Sequence, residues 1–205
     1  MLFGKQVRLR ALERADLPTV VLWFNDPDTR TRIARVGPMS LAEEERWFDA
    51  LQKSTTDVVL LIETPAARPA QGARPIGLIG LHQIDWRNRH ASLGIVLGEE
   101  QFRGKGHGTD ALTTLVRHAF LELGLHRIEL EVLTSNAPAI RSYEKAGFCV
   151  DGVRRHAMFR GGAFRDLQLM SLLATELREA TAQPQAPKPR SGSRSGLRKP
   201  GRLGG

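Results

Sequence analysis

A glycine-rich turn at residues 103–108 has the composition and position of an anion-binding site. It reads Arg103-Gly104-Lys105-Gly106-His107-Gly108 and lies between a predicted strand and the first turn of a predicted helix. Glycines let backbone N–H groups approach a ligand closely, and the first turn of a helix leaves such groups unsatisfied at its positive dipole end. The turn therefore predicts a site for phosphate or pyrophosphate.

Two other phosphate-binding turns must be compared with this one. A P-loop is excluded, because the chain contains no G-x-x-x-x-G-K-[ST]. A dinucleotide-binding turn, G-x-G-x-x-G/A, is satisfied from Gly106 with Ala111 at its last position, so spacing alone leaves that alternative open. Its context argues against it, because several predicted strands and two helices precede the turn and Leu133-Thr134, with no acid, ends the next strand.

A second motif lies about thirty residues downstream. Residues Asn136–Phe148 read NAPAIRSYEKAGF and resemble the block Asn-x-x-Ala-x-x-x-Tyr-Glu-x-x-Gly-Phe of the GNAT N-acetyltransferase superfamily. The glycine turn resembles the [QR]-x-x-G-x-[GA] signature of the same superfamily, with Arg103, Gly106 and Gly108 at the defined positions. The resemblance covers roughly residues 5–175. Within the superfamily, the sequence is similar to the branch of ribosomal-protein-alanine (RimJ/RimL-type) and spermidine acetyltransferases.

The resemblance implies acetyl-CoA as cosubstrate. Backbone amides of the glycine turn would bind the coenzyme A pyrophosphate, and the strand before the turn would pair with the pantetheine arm in a V-shaped gap between strands 91–97 and 127–133. Asn136 would contact the same arm near the start of the next helix. The implied cofactor-binding residues are Ile95, Val96, Leu97, Arg103, Gly104, Lys105, Gly106, His107, Gly108 and Asn136.

The resemblance also implies two catalytic residues. Tyr143, the single tyrosine of the chain, would protonate the departing thiolate. Glu131 would accept the proton of the amine directly or through a water, because an amine near pKa 10.4 is mostly charged at pH 7. Glu129 and Glu131 share one side of a predicted strand, so the alternative is that one or both line a polar face or pair with a basic residue.

Transfer of an acetyl group to a primary amine is the expected activity, with a protein N-terminus of the ribosomal type as the expected acceptor. Two alternatives remain: a small amine such as a polyamine or an aminoglycoside, or a nonenzymatic protein of this fold that binds coenzyme A or RNA. The segment Asn25–Pro38 argues against a polyamine, because its two acids, Asp26 and Asp28, are outnumbered by three arginines.

The elements that must hold these motifs follow from hydrophobic periodicity. The predicted order is strand, two helices, three strands, helix, strand, helix and two strands, with period-two alternation in Val7–Leu12 and a helical face from Ala111 to Phe120. This order predicts a single α/β (α+β) domain with a mixed, mostly antiparallel sheet of about seven strands and helices on both faces.

Composition defines the domain boundary and the expected compartment. The net charge of +8 is concentrated in the C-terminal segment, where residues 181–205 carry six basic residues and no acid. We therefore expect a catalytic domain at 1–175 and a disordered basic tail at 176–205 that could contact RNA or ribosomes. A single cysteine, the lack of metal-ligand spacing among the histidines and the lack of a long apolar run predict a cytoplasmic protein without metal or membrane association. These features do not determine the oligomeric state, for which a monomer or a homodimer is expected.

Overall fold

One sheet and five helices form the part of the chain that the structure, a computed structural model, describes: residues 1–33, 37–65 and 72–177. The strands are β1 (Leu2–Phe3), β2 (Arg8–Ala11), β3 (Val58–Thr64), β4 (Arg74–Asp85), β5 (His90–Leu97), β6 (Arg127–Leu133), β7 (Cys149–Arg160) and β8 (Ala163–Leu173). The helices are α1 (Leu17–Asn25), α2 (Pro27–Arg30), α3 (Leu41–Leu51), α4 (His107–Leu121) and α5 (Ala137–Ala146).

The strands form one open sheet in the order β1-β2-β3-β4-β5-β6-β8-β7. Among the described residues, β5 and β6 are the one parallel pair, and all other neighbours are antiparallel. The predicted mixed, mostly antiparallel sheet is therefore confirmed. The count of about seven strands omitted β1, whose two residues are too few to show an alternating pattern.

Helices cover both faces of the sheet, as predicted. Ile62 of β3 packs in the larger core with α4 residues such as Leu112 and Leu115, whereas its neighbour Leu61 packs in a second core with α1 and α3. Successive side chains of a strand point to opposite faces, so this alternation assigns α4 and α5 to one side and α1 and α3 to the other. A site between the two helix layers must therefore lie where the sheet opens.

The sheet opens between β5 and β6. Their parallel pairing extends only from His90↔Arg127 to Ser92↔Glu129, while β5 remains paired with β4 as far as Leu97↔Gly77. Beyond Ser92 the β5 edge towards β6 is thus outside the ladder, and its backbone groups need other partners. The V-shaped splay between strands 91–97 and 127–133 is confirmed.

The start of α4 is fastened to the N-terminal turn by Asp110. Its carboxylate accepts backbone hydrogen bonds from Lys5 (3.0 Å), Gln6 (2.7 Å) and Val7 (3.0 Å). The contacts join residues about a hundred positions apart, so a single side chain fixes the first turn of α4 against the turn between β1 and β2. No sequence motif indicated this role.

We expect Asp110→Asn to destabilise the fold by about 1–3 kcal/mol, because an amide NH₂ would face a backbone N–H that now donates to a charged oxygen. Urea denaturation measures the loss. Asp49→Asn is the matched control: Asp49 pairs with Arg14 across the surface with both side chains more than half exposed, and such pairs contribute about 0–1 kcal/mol. Equal stability losses in the two variants would contradict the anchoring role of Asp110.

Candidate active site

A cavity of about 870 Å³ lies at the opening of the sheet. One part is lined by β5, the glycine turn, β6 and α5, and the other by α1, α2 and α3. Below, these are called the cofactor half and the acceptor half. The cavity is therefore bounded by both sequence motifs and by the N-terminal helices.

The glycine turn adopts a backbone that other residues would strain. Gly104 and Gly106 have φ of +70° and +92°, and α4 begins at the next residue, His107. Among the described residues no side chain caps this helix start, so its first-turn amides are available to an anion. Gly108 is different: it is already helical, and an added Cβ would meet Leu97 only at an ordinary 3.5 Å. Its missing side chain leaves room in the cavity.

Eight of the ten residues predicted to bind the cofactor line this one cavity: Ile95, Val96, Leu97, Arg103, Gly104, Gly106, Gly108 and Asn136. Lys105 is exposed and His107 is directed elsewhere, and neither is part of the lining. The His107 ring packs edge-on against Phe102 at 5.3 Å between centroids, with Nδ1 3.2 Å from the Phe102 carbonyl oxygen. For these two residues only a main-chain contribution to anion binding fits the geometry.

Arg103 uses its side chain within the protein. Its Nε donates to the Leu97 carbonyl oxygen at 3.0 Å, and Nη2 donates to the Gly98 carbonyl oxygen at 3.4 Å and to Thr29 Oγ1 at 2.7 Å. The guanidinium thus binds the carbonyls that follow the end of the β5 ladder and reaches α2. A basic residue at the first signature position has a structural explanation that the spacing alone did not provide.

Asn136 has a defined local role as the N-cap of α5. Its side-chain oxygen accepts from the Ala139 amide at 3.4 Å, and its carbonyl oxygen accepts from Ala139 and Ile140 at 3.1 Å each. Asparagine is one of the preferred residues at this position. The cap places the start of α5 at the cavity wall, beside the edge of the sheet that β6 leaves open.

Tyr143 lies on α5 and is buried, with its ring packed edge-on against Phe148 at 6.0 Å between centroids. Burial raises the pKa of Tyr143 to about 12, because the phenolate would lose hydration. The phenol therefore keeps its proton throughout the range in which enzymes are assayed, and it lines the cavity. These properties fit a proton donor.

Glu131 lies on β6 and also lines the cavity, but it is about half exposed and forms an ion pair with Arg154 at 2.5 Å. Glu129 on the same side of the strand pairs with Arg127 at 3.1 Å. Pairing with a basic residue, which was the alternative to a catalytic role, is thus seen for both acids. For Glu131 the ion pair does not remove the carboxylate from the cavity, because Arg154 is itself half exposed and the pair is open to water.

The acceptor half contains acids that the sequence analysis missed. Glu43 and Glu44 of α3 line it together with Trp47, Phe24 and Arg32, and Glu44 is 1% exposed. A buried carboxylate is uncommon unless partners compensate for its lost hydration. The signal was present in the sequence, because Ser40 caps α3 by accepting from Glu43 N at 3.2 Å, but a capping motif predicts where a helix starts and not which acids face a cavity.

The comparisons with known proteins agree with this geometry. The family model "Acetyltransferase (GNAT) domain" matches residues 6–149, more than two thirds of the chain. The chain belongs to the GNAT acetyltransferase family. The open sheet, the uncapped helix start and the cavity between them are accordingly the features of an acetyl-CoA-dependent N-acetyltransferase.

Three relatives of this GNAT protein are informative. The crystal structure of spermidine N-acetyltransferase from Vibrio cholerae in complex with CoA and spermine has a TM-score of 0.77 and 26% identity, covering 85% of this chain and 99% of that one. Spermidine N(1)-acetyltransferase of Escherichia coli is 34% identical over 78% of this chain and 82% of its own. The putative ribosomal N-acetyltransferase YdaF of Bacillus subtilis is 36% identical over 49% of this chain and 54% of its own.

The described residues contain no group of three or more His, Cys, Asp or Glu that could hold a metal ion. Of the helices within the same residues, none is long and apolar enough to cross a membrane. Of the basic tail at 176–205, to which RNA or ribosome contact was assigned, residues 178–205 lie outside the described residues.

The variants Gly106→Ala and Gly108→Ala should distinguish the effect of backbone strain from the effect of filling space in the cavity. Gly106→Ala places a side chain at positive φ and should cost about 1–2 kcal/mol of stability in urea denaturation. Gly108→Ala should leave stability unchanged or slightly raised, because alanine favours a helix. Calorimetry with CoA should nevertheless show weaker binding to Gly108→Ala, since its methyl group occupies the approach to the turn. Unchanged CoA affinity in Gly108→Ala would contradict the predicted cofactor site.

Proposed function

We propose that the acceptor is a small amine that carries more than one positive charge, as a polyamine does. The observation that carries this proposal is the pair of α3 carboxylates, Glu43 and Glu44, in the acceptor half of the cavity. A buried or half-buried acid attracts an ammonium group more strongly than an exposed one. The likeness to the Vibrio cholerae enzyme in complex with spermine supports the same class.

This proposal replaces the expectation of a protein N-terminus as the main acceptor. The segment Asn25–Pro38, whose charges disfavoured a polyamine, provides only part of the wall of the acceptor half. Arg32 of that segment lines the cavity, but the two acids of the acceptor half, Glu43 and Glu44, come from α3, which lies outside the segment. The charges of one short segment therefore do not represent the charge of a pocket that three helices form.

Tyr143 and Glu131 are proposed to carry the proton transfers. Acetyl-CoA supplies an activated thioester carbonyl. Glu131, at the water-exposed rim, accepts a proton from the incoming ammonium, and Tyr143, buried and neutral, donates one to the leaving thiolate. The ammonium loses one proton to Glu131, which passes it to water, and a second as the amide forms. This second proton replaces the one that Tyr143 gives to the thiolate, so one proton in total is released to solvent.

A protein N-terminal amine remains the second candidate. The half-length match to the ribosomal N-acetyltransferase relative favours it, and such an amine, with a pKa of about 7.8, needs less help from a base than a polyamine does. An extended peptide would have to place its first residue in the acceptor half beside Glu43 and Glu44. Those carboxylates would then contact the terminal ammonium only.

The domain boundaries are proposed from the sheet. The last strand, β8, ends at Leu173, and a short 3₁₀ turn, Ala174–Glu176, follows. We infer a catalytic domain of residues 1–175 and a separate basic tail from 176 to 205.

Thiol release from acetyl-CoA, measured with a panel of amines, tests the acceptor class. We expect spermidine and spermine to give a kcat/KM at least about tenfold above an N-terminal alanine peptide, equivalent to about 1.4 kcal/mol. Glu43→Gln should narrow this ratio by raising the KM for the polyamines more than that for the peptide. A peptide turned over faster than every polyamine would support the second candidate, and no release with any amine would contradict both.

Substitutions of the two proposed proton carriers should impair different steps of the reaction, thiolate departure for Tyr143 and amine deprotonation for Glu131. Tyr143→Phe should lower kcat by about 10²–10⁴-fold with little change in acceptor KM, and the wild-type rate should not decline between pH 8 and 10, because Tyr143 deprotonates only near its pKa of about 12. Glu131→Gln should impair a strongly basic amine more than a weakly basic one. A Tyr143→Phe variant with unchanged kcat would refute the assignment of the acid.

A further inference from the structure

Arg103 connects two parts of the molecule that the sequence keeps 74 positions apart. It belongs to the predicted cofactor turn, yet its guanidinium donates to the hydroxyl of Thr29 on α2 at 2.7 Å. Thr29 is fully buried and, like Arg103, lines the cavity. One side chain therefore contacts the carbonyls at the end of β5, the turn that follows them and the wall of the acceptor half.

Thr29 is itself held in place by α2. Its amide donates to Asp26 Oδ1 at 2.8 Å, which makes Asp26 the N-cap of this helix. Hydrogen bonds from Thr29 lower the pKa of Asp26, and the positive charge of Arg103 acts in the same direction. Asp26, Thr29 and Arg103 thus form a continuous polar chain from the start of α2 to the cofactor turn.

The segment between β5 and Arg103 is also packed against α1. Any side chain at Gly98 would overlap the ring of Trp23, since an added Cβ would lie 2.0 Å from its Cγ. The Trp23 indole N–H donates to Glu99 Oε1 at 3.2 Å. Movement of the cofactor turn must therefore be transmitted to α1 or to α2, because the chain leading into the turn touches both.

At its other end α2 is fastened to the β7–β8 hairpin. The guanidinium of Arg160 donates to the carbonyl oxygen of Arg30, the last residue of the helix. A helix of four residues has little stability of its own, so its position depends on such contacts. Of these, the one to Arg103 is the contact that leads to the cofactor turn.

We propose that Arg103 is a positioning residue that couples cofactor binding to the acceptor wall through Thr29. Binding of CoA holds the turn, the turn holds the guanidinium, and the guanidinium holds α2. Coupling between two binding sites is reciprocal, so an ordered α2 also favours the cofactor-bound turn. The proposal rests on CoA binding at the glycine turn and does not depend on which amine is acetylated.

Hydrogen exchange with and without saturating CoA tests the coupling without an acceptor. In the wild-type protein, CoA should slow exchange about fivefold, the lower end of typical couplings, both in the turn at 103–108 and at the amides of residues 29–32. Thr29→Val, which keeps the shape and removes the hydroxyl, should retain protection of the turn and lose it in α2. Thr29→Ser should restore the protection of α2.

Three further variants distinguish the alternatives. Arg103→Gln keeps a residue that the signature allows but cannot span both the β5 carbonyls and Thr29, so it should also uncouple α2, and adding Thr29→Val should then change nothing more. Thr31→Val is the matched control, because the exposed Thr31 hydroxyl at the C-cap of α2 donates, among the described residues, to the Asp28 carbonyl oxygen at 2.7 Å and not to Arg103. It should keep the coupling.

Three results would overturn the proposal. Protection of α2 that persists in Thr29→Val would show that α2 responds to CoA without the bond between Arg103 and Thr29. Protection of α2 that is absent in the wild-type protein while the turn is protected would show that α2 does not respond to the turn. Protection of α2 that is lost in Thr29→Val and kept in Arg103→Gln would mean that CoA contacts Thr29 directly. Failure of the acceptor assignment would leave all of these measurements unaffected, whereas absence of CoA protection in the turn would point to the cofactor site itself.

Discussion

The divergence of β5 from β6 after Ser92 is the constraint on which the rest of the site depends. A parallel pair that continued to Leu97 would satisfy the backbone of both strands and close the sheet. Because the pairing stops, the β5 edge has free backbone groups, and the start of α4 and the N-cap of α5 are brought to the sides of the opening. Unsatisfied backbone groups, usually a cost to a fold, become the means of binding an extended ligand.

Stability of the opening must then come from its margins. Asp110 fastens α4 to the N-terminal turn, and Arg103 binds the carbonyls where the β5 ladder ends. Both are charged side chains that accept from or donate to the backbone, and such hydrogen bonds are stronger than neutral ones. The elements on either side of the turn are thus held independently of it. The turn itself can keep the positive φ of Gly104 and Gly106.

The parts of the fold that could be predicted from the sequence are those encoded locally. The alternation in Val7–Leu12 and the helix start after the glycine turn depend on neighbouring residues, and each was predicted. Asp16 stands at the N-cap of α1 but does not cap it with its side chain, because its carboxylate accepts from Arg10 at 2.7 Å and 2.8 Å. A bidentate pair with arginine competes successfully with a cap, and periodicity gives no sign of it. The short strand β1 was missed because two residues have no period.

In the candidate site, too, the features encoded by neighbouring residues were predicted and those set by distant contacts were not. Two motifs brought Tyr143, Asn136 and most of the glycine turn to one cavity, because each motif is short and lies at the boundary of an element. The motifs did not predict the directions of the side chains. The His107 ring packs on Phe102, and Glu43 and Glu44 line the acceptor half although no motif indicated that they face a cavity. Which way a helix face points depends on packing between distant elements, here α3 against α1, and a single sequence does not display that contact.

The cavity combines a buried phenol, Tyr143, with an exposed carboxylate, Glu131, and this difference in environment suits the acid and base roles proposed for them. Burial keeps the Tyr143 phenol protonated, as the proposed donor to the thiolate must be. Glu131 is exposed to solvent beside Arg154, as a proposed base that passes its proton to water must be. If their positions were exchanged, a buried carboxylate would resist ionisation and an exposed phenol would lose its shielding. The asymmetry follows from the fold, because α5 packs Tyr143 against the core while Glu131 is exposed on β6 between the buried Leu130 and Val132.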